Sequence, residues 1–258
     1  MKLAHRGGVT RMRELIGCYA LLGLLWFGYL DEWRVATLWL TLMLLAVSSL
    51  RVRRSLLENE PARNAWSGYA GQAGYHFLIA GWKVMAFFVG VGVIQVITIG
   101  FGKEDLQSLY SRSKSYLDWV WWLAPLVHSS VLHWLGNVVA AVFIIVAFHQ
   151  IRLTMMIAAG VGVALLISVG NVVLLWLTET DHVVIGSSAG IAGMIGAGSA
   201  WSKRSKSGYP PAFHQVVNVQ FLAGFVVLSL MDEPKSALVH VIGWLMGLGL
   251  AMVCQPKS

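Results

Sequence analysis

Long apolar stretches fill most of this 258-residue chain and leave little to cover a soluble surface. Eight can be marked, at about 15–30, 33–50, 77–100, 124–148, 154–177, 183–201, 213–231 and 237–254. Only 12% of the residues are charged, whereas soluble domains carry about 25%. A bilayer supplies the apolar solvent that such a chain needs, and runs of about 20 residues suit membrane-crossing helices. The runs lack the two-residue alternation of barrel strands. The expected fold class is therefore an all-α polytopic membrane protein. The first two runs are short and read as an N-terminal helical hairpin over residues 1–50. A polar linker follows at 51–76, and a six-helix core occupies 77–254.

The net charge of +7 does not argue for nucleic acid. The basic residues gather at the ends of apolar runs, where lipid headgroups and topology account for them. One set of tails and loops carries most of them, including Lys2, Arg6, Arg51, Arg63, Arg152, Lys203 and Lys257. The other set carries Arg34, Lys103, Arg112, Lys114 and Lys235. The positive-inside rule then predicts both termini in the cytoplasm of a cell-membrane or inner-membrane protein. Cys18 and Cys254 fall on that reducing side and are expected as free thiols. The first apolar run shows no cleavage pattern, so it is expected to be retained.

Three runs carry polar groups that are expensive in lipid and so point to function. The first holds His128, His133 and Asn137, the second Gly186, Ser187 and Ser188, and the third His240, followed by Gly243 and Gly247. With the topology assigned from Lys and Arg alone, all of these groups fall in the outer half of the bilayer. Ser188 is the candidate nucleophile; a serine hydroxyl needs an adjacent base to attack an amide. His240 is the candidate base. Gly243 and Gly247 share its helix face, and Gly186, Gly190 and Gly193 form a small-residue stripe near Ser188, so the two helices can approach closely. A packing face alone explains that stripe equally well. His133 and Asn137 lie four residues apart on one face and can both donate to an oxyanion. His128, five residues before His133, is expected about 140° away around the same helix. It is read as structural or substrate-contacting. Trp119 opens an aromatic stretch, Trp119-Val120-Trp121-Trp122, suited to the membrane interface or to substrate access.

Metal and aspartyl chemistry fit poorly. Two histidines without a span carboxylate or nearby cysteine make a weak zinc site, so no metal and no cofactor are expected. An aspartyl protease needs two carboxylates sharing a proton, and no span carries them; the same shortage leaves a Ser-His dyad rather than a triad.

The three motifs, His128-x4-His133-x3-Asn137, Gly186-Ser187-Ser188-Ala189 and His240-x2-Gly243-x3-Gly247, in that order on separate spans, resemble the rhomboid family of intramembrane serine proteases. The resemblance covers the six-helix core. It implies Ser188 as nucleophile, His240 as base, and His133, Asn137 and the Ser188 backbone N–H as oxyanion donors. It also implies that Trp119 begins a membrane-embedded outer loop, that transmembrane protein segments are the substrates, cut near their outer ends, and that access involves the helix matching 213–231. Three positions depart from the family pattern: Val120 replaces a common arginine, Ala189 a common glycine, and Ala192 an aromatic that packs on the base. His240 must then be oriented by Trp244 or by an aromatic from another helix. Two rival readings remain: a catalytically inactive rhomboid-like protein that binds transmembrane clients, and a small transporter or channel.

Overall fold

The computed structural model of the chain describes residues 60–100, 122–178, 186–204, 208–211, 213–221, 225–226 and 234–254, with parts of 39–54. The expected N-terminal hairpin falls almost wholly outside these residues, although 41–47 is helical. From residue 60 onward, the described residues form seven α-helices and no strand. They are α1 (Glu60–His76), α2 (Trp82–Thr98), α3 (Val131–Ala147), α4 (Leu153–Thr178), α5 (Ser188–Arg204), α6 (Phe213–Phe221) and α7 (Pro234–Val253). A π turn at Phe77–Gly81 joins α1 to α2 into one continuous helical rod. The polar stretch read as a linker is thus helical from Glu60 onward.

Three helical stretches, Glu60–Thr98, Leu153–Asn171 and Ser236–Val253, are long and apolar enough to cross a membrane, with His133–Ala147 a shorter apolar helix. Val89, Val93, Val96 and Ile97 on α2 and Leu165, Leu166 and Val169 on α4 are exposed. Water would penalise such a surface, whereas lipid matches it.

Helix α5 lies at the centre. Every residue from Ala189 to Ser199 is buried, because α3, α4, α6 and α7 all pack on it. Small residues make this possible. A Cβ on Gly193 would meet Val163 of α4 at 2.6 Å, and one on Gly198 would meet the Phe148 ring at 2.7 Å. On the α7 side, Gly247 faces the Gly193 carbonyl and Gly243 faces the Ala189 carbonyl, each with no room for a methyl group. Without a hydrophobic drive between helices in lipid, such backbone contact is a main source of association. Side-chain hydrogen bonds tie α6 to α5 as well: Ser199 Oγ donates to Asn218 Oδ1 (3.1 Å), and Ser202 Oγ lies 3.0 Å from His214 Nδ1.

Two helix starts differ from the sequence reading. The run counted from 124 holds a 3-10 turn at Ala124–Leu126 and an extended stretch before α3 begins at Val131. Ser130 caps α3 by accepting from the His133 N–H at 3.1 Å. In the run counted from 183, the described residues Gly186 and Ser187 precede the helix, which begins at Ser188. Hydropathy follows apolarity, and the short apolar approach to each helix scores like the helix itself.

Candidate active site

Helices α3, α5 and α7 all begin at one end of the bundle, so His133, Ser188 and His240 arrive at the same level. Ser188 is the first residue of α5, and its Oγ lies 2.8 Å from His240 Nε2. The contact joins two helices at a sequence separation of 52. His240 is buried, and its Nδ1 lies 2.8 Å from the carbonyl oxygen of Phe225. A carbonyl only accepts, so Nδ1 donates to it and carries the hydrogen of the neutral ring. Nε2 is left with a lone pair aimed at the Ser188 hydroxyl.

The Phe225 ring stands edge-on to His240, with centroids 5.4 Å apart and planes at 83°. The aromatic missing at Ala192 is therefore replaced from another element. Phe225 is stacked with Phe221, and Phe221 with Trp244. Trp244 thus supports the base indirectly, through the two intervening rings of Phe221 and Phe225.

Gly186 has φ of 92° and precedes α5. This backbone region favours glycine. The expected stripe of Gly186, Gly190 and Gly193 is thus corrected: Gly186 stands outside the helix. Its N–H donates to the Ala124 carbonyl at 2.9 Å. A Cβ there would meet His133 Cε1 at 2.8 Å, His133 Nε2 at 2.9 Å and Asn137 Nδ2 at 3.4 Å. The bare glycine thus leaves open the space toward which His133 and Asn137 converge. Asn137 is buried, and its Nδ2 has no hydrogen-bond partner among the described residues. Ser129 Oγ lies 3.3 Å from His133 Nδ1. The first N–H groups of a helix have no intrahelical acceptor, which leaves the Ser188 N–H available beside them.

His128 also differs from expectation. It precedes the α3 cap, so no helical wheel places it. It is fully buried, with Nε2 3.4 Å from Ser187 Oγ and its ring 5.2 Å from that of His133. Gln95 of α2 clasps its peptide unit: Gln95 Nε2 donates to the His128 carbonyl at 2.6 Å, and the His128 N–H donates to Gln95 Oε1 at 2.9 Å. Gln95 escaped the sequence reading, although a lone amide inside the apolar run 77–100 was a signal of the same kind as the others. The Phe225 carbonyl had no such signal, since every residue carries one. Trp119 lies outside the described residues. Among those residues no cluster of three or more His, Cys, Asp or Glu could hold a metal.

A family model, the rhomboid domain, matches residues 118–257, more than half of the chain. The chain belongs to the rhomboid family. No curated protein and no solved structure matches it. The rhomboid match begins just before the described 3-10 turn and runs through α3, α4, α5, α6 and α7, so α1 and α2 precede it. Membership and the apolar helices together make this an integral membrane protein.

Proposed function

We propose that this rhomboid protein is an intramembrane serine endopeptidase that cuts transmembrane segments of other proteins near their outer ends. The observation that carries the reading is the 2.8 Å contact between Ser188 Oγ and His240 Nε2, with the far side of the imidazole held by a carbonyl. In the proposed reaction Ser188 Oγ attacks the scissile carbonyl carbon while its proton passes to Nε2. The oxyanion is met by Asn137 Nδ2, His133 and the Ser188 N–H. With the Ser129 hydroxyl donating to Nδ1, His133 presents an N–H from Nε2. His240 then returns the proton to the departing amide nitrogen as the C–N bond breaks. Water, activated by the same imidazole, releases the new carboxyl end and restores Ser188.

The lipid-facing bundle supports a substrate that arrives within the membrane. Scissile backbone must leave its helix to be attacked, so Gly or Pro near the cut should favour cleavage. The Lys and Arg distribution supports a site opening to the outer side, with both termini cytoplasmic.

The test is cleavage of a single-span substrate by the detergent-purified chain, together with labelling by a fluorophosphonate. Ser188→Ala should abolish both. His240→Ala should reduce both by at least about three orders of magnitude, as expected when an activating base is lost. Cleavage that persists in both variants overturns the mechanism. Absence of cleavage and of labelling in the unaltered chain favours the client-binding alternative.

A further inference from the structure

A second polar cluster lies at the opposite end of the bundle, about 25 Å away, which is the length of α3 at 1.5 Å per residue. There the end of α3, the start of α4 and the π turn enclose a pocket of about 300 Å³. His76, His149, Gln150 and Arg152 line its polar part, and Leu153 and Met156 lie on its apolar wall. No acidic residue among the described ones lines it. Arg152 is exposed and lines the pocket. The His76 and His149 rings are stacked, with centroids 4.9 Å apart and planes at 29°.

We propose that this pocket binds a phosphoryl group, carried either by an anionic phospholipid headgroup or by soluble phosphate. The inference is independent of the protease reading. A guanidinium fork matches phosphate oxygens in pairs. Arg152 also precedes α4, whose Met155 and Met156 N–H groups turn back to the Arg152 carbonyl. The earlier N–H groups of that helix begin beside the pocket and favour an anion.

His149 is a titratable group at the pocket. Its Nδ1 lies 3.0 Å from the Val146 carbonyl and so carries a hydrogen, and its Nε2 lies 3.3 Å from the Gln72 side-chain amide. Burial holds its pKa below the usual histidine value, and the neighbouring His76 adds to the lowering. A bound phosphoryl group supplies the missing counter-charge. The pocket's border is irregular backbone as well: Ala80, in the π turn, lines it, and π turns inside helices often mark ligand sites. The apolar wall accommodates the glycerol and first acyl carbons of a lipid.

The full-length chain in a non-ionic detergent is titrated with inorganic phosphate, read by the shift in Tm. It is titrated separately with short-chain phosphatidylglycerol, read by native mass spectrometry. At least one probe should bind saturably. Arg152→Gln should weaken that binding at least ten-fold, with Arg152→Lys intermediate and Lys203→Gln, a basic residue outside the pocket, unchanged. Ala80→Leu narrows the pocket without altering charge and should weaken binding as well; it decides the question if Arg152→Gln does not fold. Phosphatidylglycerol that excess phosphate does not displace assigns the headgroup, whereas a response to phosphate alone assigns the soluble ion. Failure of both probes to saturate, or equal binding by the unaltered chain, Arg152→Gln and Ala80→Leu, overturns the proposal.

Discussion

Residue by residue, the site divides into groups that chemistry names and groups that only geometry supplies. Ser188, His240, His133 and Asn137 were legible because a hydroxyl, an imidazole or an amide in an apolar run has to be accounted for. The orienting acceptor of His240 was not legible, because it is a backbone atom of Phe225. The role of Gly186 was misassigned for a related reason: helical spacing presumes a helix, and its positive φ places it before one. Asn137 offers the sharpest residue-scale prediction. Its Nδ2 is buried without a partner among the described residues, a costly state that an oxyanion would relieve. On the proposed mechanism Asn137→Ala should lower kcat by about 10²–10³ while KM changes little, since the bond forms with charge developed in the transition state. Steady-state cleavage of the single-span substrate reads the split. A loss confined to KM would mean that Asn137 binds substrate rather than stabilising charge.

At the scale of the element, backbone proximity between α5 and α7 brings the dyad together. Gly243 and Gly247 were visible in the sequence as one face behind His240, and the structure places both against α5 carbonyls. Helix ends were less visible. The Ser130 cap and the 3-10 turn after Leu123 contain ordinary loop chemistry, yet their apolar neighbours merged them into the span. Two glycines of α7 separate packing from composition. Gly247 faces the Gly193 carbonyl, whereas a Cβ on Gly249 would meet nothing within 4 Å. Gly247→Val should therefore destabilise by at least about 2 kcal/mol, because a backbone carbonyl cannot repack around the added carbons. It should also separate Ser188 from His240. Gly249→Ala should leave Tm unchanged or slightly raised, since it removes only unfolded-state freedom. Thermal unfolding in detergent, followed by fluorophosphonate labelling of the folded fraction, distinguishes the two. Equal Tm values for both variants would show that the α5–α7 contact does not hold the bundle.

For the whole molecule, the two ends of the bundle carry opposite chemistry. The Ser188 end collects a serine, imidazoles and amides, with Lys235 as its basic residue in the first turn of α7. The other end carries Arg152, Lys203 and the end of α7 at Cys254. His133, Ser188 and His240 share one end, and the charge-based assignment predicts that this end faces outward. Helix α7 spans the two ends, from Ser236 near the dyad to Cys254, which is free and exposed. The orientation can therefore be read along one helix. In a Cys18→Ser background, intact cells expressing the chain are treated with a membrane-impermeant maleimide. Cys254 should stay unlabelled until the membrane is opened. A Ser236→Cys variant that also carries Cys254→Ser should label in intact cells, because its thiol lies at the dyad end. Labelling of Cys254 from outside, with Ser236→Cys protected, would invert the protein and turn the proposed site toward the cytoplasm, where substrate segments would have to be cut at their inner ends.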